Sequence, residues 1–152
     1  MGPLPAGANV PSFTLRRDDG SGFTDTELTG ATTLLVFYPF AFTPVCTDQL
    51  NLYDDVREEF AAHGVERIYA VSCDASASQA AFKTTLGIEI EQLSDFEPKG
   101  EACKAFGVYH PGGFAQRALV LVNRDRTVRW SYMAESPGEL PGADLIFDAL
   151  GA

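Results

Sequence analysis

Hydrophobic residues fall into two kinds of pattern along this chain, one typical of strands and one of helices. Continuous apolar runs rich in β-branched and aromatic residues occur at 33–38, 68–72 and 118–122, and they predict sheet strands buried on both faces. A polar turn leads from the last run to a further strand at 127–133. Phe13 and Leu15 alternate with polar residues before the turn-forming residues 18–22, which predicts an N-terminal β-hairpin.

Helical spacing of apolar residues marks the segments between these strands. One helix is predicted to begin at Pro44, with Thr43 as its N-cap and Gly64 at its C-terminal cap, because apolar residues recur at positions 50, 53, 56 and 60. Further helices are predicted at 77–86, after capping signals at Asp74 and Ser76, at 102–106 and at 144–150.

The predicted order is a hairpin, then βαβα, then ββα. This alternation indicates the α/β class, with a mixed central sheet flanked by helices on both faces. The length of 152 residues fits a single domain spanning 1–152. The pattern alone allows several small α/β folds.

Charge and composition narrow the function classes. The formal net charge of −10 disfavours binding to nucleic acid or to anionic membranes. No apolar run approaches the roughly 18–20 residues that span a bilayer. The first ten residues lack the basic and apolar regions of a secretory signal. We therefore expect a cytoplasmic protein.

The three cysteines are Cys46, Cys73 and Cys103. This odd, sparse count does not suggest a disulfide framework. A zinc site is also not expected, because the chain has no C-x-x-C pair and its two histidines, His63 and His110, are far apart in sequence. The cysteines are therefore either inert buried thiols or include a reactive one.

Cys46 has the surroundings of a reactive thiol. It follows a buried strand and a proline-bounded loop, and it lies in the first turn of the predicted helix. Free backbone N–H groups and the positive end of the helix dipole stabilise a thiolate there. A lone cysteine near a strand–helix junction is more often a small buried hydrophobe, so its neighbours decide between the two interpretations.

Those neighbours form the pattern P-x-x-x-T-x-x-C as Pro39, Thr43 and Cys46, which resembles the active-site motif of the peroxiredoxins. Further segments resemble this family in order along almost the whole chain: PSFTL at 11–15, AVSCD at 70–74, LSD at 93–95, AFGV at 105–108 and QRALV at 116–120.

The resemblance implies a thioredoxin-like fold that reduces hydrogen peroxide or organic hydroperoxides without metal, flavin or haem. Cys46 would be the peroxidatic cysteine, oxidised to a sulfenic acid. Thr43 and Arg117 would hold the peroxide oxygens and the developing charge, and Pro39 would shield the sulfur. Many family members have glutamate where this chain has Gln49. An amide can still hydrogen-bond to Arg117, but it contributes no charge to orient the arginine.

The loop sequence and compact C-terminus most resemble the AhpE-like one-cysteine class, because the positions of known resolving cysteines, such as Asn51, are occupied by other residues. That class implies recycling by an external low-molecular-weight thiol or by a thioredoxin- or glutaredoxin-like protein. It also implies a homodimer or higher homo-oligomer, in which Phe40 and Phe42 would pack unless they belong to the core.

Four alternatives stay open at this point. Cys103 or Cys73 could act as a resolving cysteine. The chain could be a thiol-disulfide oxidoreductase, although position 43 is then a threonine where a second cysteine is needed. It could instead be a peroxide-sensing module of the same fold, or a holdase that does not depend on Cys46.

Overall fold

A computed structural model describes residues 2–151 and arranges most of their strands in one seven-stranded sheet. The strands are β1 (Thr14–Arg17), β2 (Gly22–Thr24), β3 (Thr33–Phe37), β4 (Arg67–Ser72), β5 (Glu91–Ser94), β6 (Tyr109–His110), β7 (Phe114–Ala115), β8 (Ala118–Val122) and β9 (Val128–Met133). The helices are α1 (Pro44–Asp55), α2 (Arg57–Ala62), α3 (Ser76–Leu86), α4 (Glu101–Ala105) and α5 (Ala143–Ala149), with a short 3₁₀ helix at Asp25–Leu28.

The sheet has the order β2-β1-β5-β4-β3-β8-β9, and β6 and β7 form a separate small pair. β3 pairs in parallel with β4, and β4 with β5, whereas β8 runs antiparallel to β3. The predicted mixed sheet and N-terminal hairpin are confirmed, and Leu15 lies opposite Phe23 in the hairpin.

Successive residues of β3 pack on opposite faces of the sheet, as the pleat requires. Leu34 and Val36 join a buried cluster with residues of α1, α2, α3 and α5. Leu35 and Phe37 join a second cluster with α4 and the N-terminal hairpin. The helices therefore cover both faces of the sheet.

The sequence prediction missed β5, which joins the N-terminal hairpin to the parallel strands. β5 pairs antiparallel with β1, at Arg16 opposite Ser94, and parallel with β4. Its sequence, EQLS, is short and contains no β-branched residue, so it carries no strand signal of its own. Pairing with two neighbours makes these residues a strand.

The helix predicted to run toward Gly64 is divided at Val56, which has φ −104° and ψ 13°. Its apolar spacing is nevertheless used, since Leu50, Tyr53 and Phe60 are buried. α3 begins after Ala75, which makes no side-chain cap, so the predicted caps at Asp74 and Ser76 are wrong. Within residues 2–151, no helix is both long and apolar enough to cross a membrane.

Candidate active site

Cys46 lies in the first turn of α1, as the sequence predicts. Thr43 is the N-cap residue with extended backbone angles, and Pro44 is the first helical residue. The first backbone bond of the helix runs from the Thr47 N–H to the Thr43 carbonyl, at 2.9 Å. No acceptor within residues 2–151 pairs with the N–H groups of Val45 and Cys46. These free donors and the helix dipole favour negative charge on the Cys46 sulfur.

Arg117, just before β8, contacts Cys46 on the face of the sheet that α1 covers. Its Nη2 donates to the Cys46 Sγ at 3.3 Å, its Nη1 to the Gln49 Oε1 at 2.6 Å, and its Nε to the Pro137 carbonyl at 2.9 Å. Arg117 is 3% exposed and Cys46 is fully buried. Three acceptors thus fix the plane of a buried guanidinium with one edge against the sulfur.

Gln49 holds the arginine through a chain of hydrogen bonds. Its amide Nε2 donates to the Tyr53 hydroxyl at 3.2 Å, and that hydroxyl donates to the Pro141 carbonyl at 2.6 Å. Burial raises the pKa of Tyr53 to about 12, so the hydroxyl keeps its proton at neutral pH. The amide therefore has a set orientation, with its oxygen facing Arg117.

The hydroxyl of Thr43 is directed toward the loop. Its Oγ1 donates to the Phe40 carbonyl at 2.8 Å, and among residues 2–151 it makes no hydrogen bond to the Cys46 sulfur. Because its one proton is committed, the oxygen lone pairs of Thr43 remain free to accept a hydrogen bond. Pro39 is buried two residues after the end of β3, where the loop begins.

Asp74 fixes the middle of this loop. Its carboxylate Oδ2 accepts from the Ala41 N–H at 2.8 Å and from the Ser72 hydroxyl at 2.7 Å. Phe42, which follows Ala41, has φ +65°, a left-handed conformation that is costly for a bulky side chain. Its ring packs on the ring of Phe82, with 5.1 Å between the ring centroids. The sequence predicts Asp74 as a helix cap, whereas in the structure its carboxylate holds the loop.

A surface cavity of about 190 Å³ is lined in part by Arg117. It lies between the β6–β7 pair, through His110 and Phe114, and the segment 134–137. Arg117 therefore borders both the buried sulfur of Cys46 and a cavity at the surface.

The other two cysteines lie away from Cys46. All three are free and buried, but Cys46 belongs to the cluster covered by α1, whereas Cys73 and Cys103 belong to the cluster on the opposite face of the sheet. The structure thus brings together Cys46, Arg117, Gln49 and the loop from Pro39 to Thr43, and it does not bring a second thiol to Cys46.

Comparisons with known proteins show which family this chain belongs to. The AhpC/TSA family matches residues 6–131. Alkyl hydroperoxide reductase E of Mycobacterium bovis is 34% identical over 151 residues, covering 98% of this chain and 97% of that protein. Peroxiredoxin Bcp of Escherichia coli (strain K12) is 29% identical over 140 residues, covering 92% and 85%.

Solved structures of peroxiredoxins share the fold of this chain. Peroxidoxin BcpB from Mycobacterium tuberculosis superposes with a TM-score of 0.82 at 27% identity, covering 97% of each chain. Reduced Prx3 from Vibrio vulnificus, in complex with hydrogen peroxide, gives a TM-score of 0.87 at 24% identity, covering 97% and 99%, which is a likeness of fold. The chain belongs to the AhpC/TSA family and is a peroxiredoxin, a thiol-dependent peroxidase with a thioredoxin-like fold.

Proposed function

We propose that Cys46 is the peroxidatic cysteine and that this protein reduces hydrogen peroxide and organic hydroperoxides in a one-cysteine cycle. The observation that carries the proposal is the 3.3 Å contact from the Arg117 Nη2 to the Cys46 sulfur, at the free N-terminus of α1. A fixed cation and free N–H donors favour the thiolate, which is the nucleophilic form.

The reaction follows from these positions. The Cys46 thiolate attacks one peroxide oxygen, an S–O bond forms as the O–O bond breaks, and the leaving oxygen takes a proton to become water or an alcohol. Charge that grows on the leaving oxygen lies beside the guanidinium of Arg117, a donor that needs no reorganisation. The Thr43 oxygen has free lone pairs to accept the O–H of the peroxide, and the loop from Pro39 keeps bulk water from the sulfur.

The resulting sulfenic acid needs a thiol to reduce it. Cys73 and Cys103 lie on the other side of the sheet, which supports an external reductant rather than either internal thiol. One external thiol displaces water to form a mixed disulfide with Cys46, and a second thiol releases the cysteine. A low-molecular-weight thiol or a thioredoxin- or glutaredoxin-like protein supplies both, in the cytoplasm.

Intact mass spectrometry after one equivalent of hydrogen peroxide tests this proposal. We expect the wild-type chain to gain one oxygen, and we expect Cys46→Ser to abolish the gain, with Cys103→Ser as the matched control that keeps it. A loss of two hydrogens that needs both Cys46 and Cys103 would replace the one-cysteine cycle by a two-cysteine cycle. No reaction at low peroxide would overturn the role of Cys46.

The amount of peroxide consumed per chain distinguishes a catalytic peroxidase from a peroxide sensor. A catalytic peroxidase consumes many equivalents of peroxide per chain when glutathione, mycothiol or a redoxin is supplied. A peroxide-sensing module stops after one equivalent, and that result would overturn the catalytic cycle proposed here.

We also propose that the protein is a homodimer or higher homo-oligomer that associates through the active-site loop. Phe40 is 44% exposed and Phe42 is 55% exposed, so neither belongs to the core of the chain. The ring of Phe40 packs on Phe114 and that of Phe42 on Phe82, and about half of each residue remains exposed. Sedimentation of the wild type and of Phe42→Ser tests this, and a monomeric wild type would refute it.

A further inference from the structure

Cys73 and Cys103, which the peroxidase cycle does not use, are brought together on the face of the sheet opposite Cys46. Cys73 directly follows β4 and Cys103 lies in α4, 30 positions later in the chain. Their sulfurs and a carboxylate oxygen of Asp95 all lie within 4.8 Å of one another. Cys103 is fully buried, and Cys73 is 6% exposed.

Asp95 holds both cysteines in place through the backbone. Its N–H donates to the carbonyl of Ser72, the residue before Cys73, at 2.8 Å. Its carboxylate accepts from the N–H of Cys103 at 2.8 Å and from that of Ala102 at 3.1 Å. The two thiols are therefore set against each other by a fixed frame.

We propose that Cys73 and Cys103 form a second redox centre, a dithiol that closes to an intramolecular disulfide independently of Cys46. A disulfide needs sulfurs about 2 Å apart, so side-chain rotation from the present separation within 4.8 Å must supply the approach. The chemistry requires only the two sulfurs and an oxidant, and the peroxide that this enzyme meets is such an oxidant.

The two thiols have different roles in this step. The neighbouring thiol of Cys103 holds the pKa of Cys73 below its usual range, whereas the neighbouring Cys73 and burial raise the pKa of Cys103. Cys73 is also the more exposed of the two thiols, so it is the nucleophile. Its sulfur attacks a peroxide oxygen, the S–O bond forms as the O–O bond breaks, and the second oxygen leaves as water or alcohol.

Cys103 then completes the reaction. Its sulfur attacks the Cys73 sulfur, the S–S bond forms as the S–O bond breaks, and hydroxide leaves as water with the proton of the Cys103 thiol. Two thiols lose two electrons in total, and one peroxide gains them.

A metal ion is the other occupant that this cluster would suit chemically, because thiolates bind soft metals. The geometry favours the disulfide. Both carboxylate oxygens of Asp95 already accept a backbone N–H, and the cluster offers three ligands among residues 2–151, whereas structural zinc sites use four.

The test uses full-length Cys46→Ser protein, which has no peroxidatic thiol. It is treated with diamide, which accepts two hydrogens from a dithiol, and in parallel with excess hydrogen peroxide, then denatured and alkylated. We expect a loss of two hydrogens, no alkylation, and a linked peptide containing Cys73 and Cys103 that dithiothreitol separates. The matched control, Cys46→Ser with Cys103→Ala, should show no such loss.

Wild-type protein gives a second measurement that does not depend on a variant folding. After diamide, one thiol per chain should remain alkylatable, at Cys46. Three alkylatable thiols would overturn the proposal, and so would one zinc ion per chain released by a mercurial reagent. Because diamide does not require peroxidase activity, failure here is distinct from failure of the Cys46 cycle.

Discussion

Replacing Arg117 by lysine separates the charge at the active site from the geometry of the guanidinium. The wild-type side chain donates from three different nitrogens to Cys46, Gln49 and Pro137. A lysine ammonium keeps the charge but places its donors on a single atom, so it cannot reach three acceptors that surround a planar fork. We expect the lysine to keep one of the three bonds.

The magnitude follows from the bond to the reacting sulfur. A hydrogen bond from a charged donor contributes about 1.5–3 kcal/mol, and 1.36 kcal/mol corresponds to a tenfold change in rate. Arg117→Lys should therefore lower the second-order rate constant for oxidation of Cys46 by about 10- to 150-fold. The buried acceptors left without a donor should lower the free energy of unfolding by about 1–3 kcal/mol.

Rapid-quench mass spectrometry of sulfenic acid formation measures the rate, and urea unfolding measures the stability. Arg129→Lys is the matched control, because Arg129 is an exposed arginine on β9, and it should change neither quantity. A folded Arg117→Lys protein that reacts within about twofold of the wild type would show that charge alone suffices, and the geometric argument would be refuted.

Three further predictions concern the groups around this arginine. Thr43→Val removes an acceptor for the peroxide and should slow peroxide reduction about 2- to 10-fold in steady-state assays, whereas Thr47→Val, one turn later, should not. Asp74→Ala leaves the Ala41 N–H without its acceptor, so hydrogen exchange at Ala41 should accelerate and the protein should lose about 1–3 kcal/mol of stability; unchanged exchange would contradict this. Because the pKa of Tyr53 is raised in the folded protein to about 12, its contribution to the free energy of unfolding is complete below about pH 10 and is lost by about pH 12. The expected loss is about 3 kcal/mol, which unfolding experiments at alkaline pH should show. Tyr53→Phe should remove this pH dependence.

The sequence predicted the parts of this site that depend on local pattern. The apolar run of β3, the proline-bounded loop and the N-cap at Thr43 place Cys46 in the first turn of a helix, and the structure agrees. The contact between Arg117 and Cys46, 71 positions apart, was expected only from the resemblance to peroxiredoxins. The hydrophobic periodicity of the two segments does not predict this contact.

Features that depend on pairing between distant segments were not predictable in this way. β5 is a strand because β1 and β4 lie on either side of it, and its own residues carry no strand signal. The proximity of Cys73 and Cys103 depends on the same strand. Asp95, which follows it, donates a hydrogen bond to Ser72, next to Cys73, and accepts one from Cys103. The role of Asp74 in the loop similarly depends on where β3 and β4 end.

The pairing of Phe37 with Ala118 has a consequence for engineering of this enzyme. Side chains alternate between the two faces of a strand, so one residue inserted between Arg117 and Ala118 would turn the arginine toward the face that holds Cys73. Catalysis would then be lost in a chain that still contains every active-site residue. Affinity tags or loops are better inserted at the exposed turn between β1 and β2, where an added residue leaves the position of Arg117 unchanged.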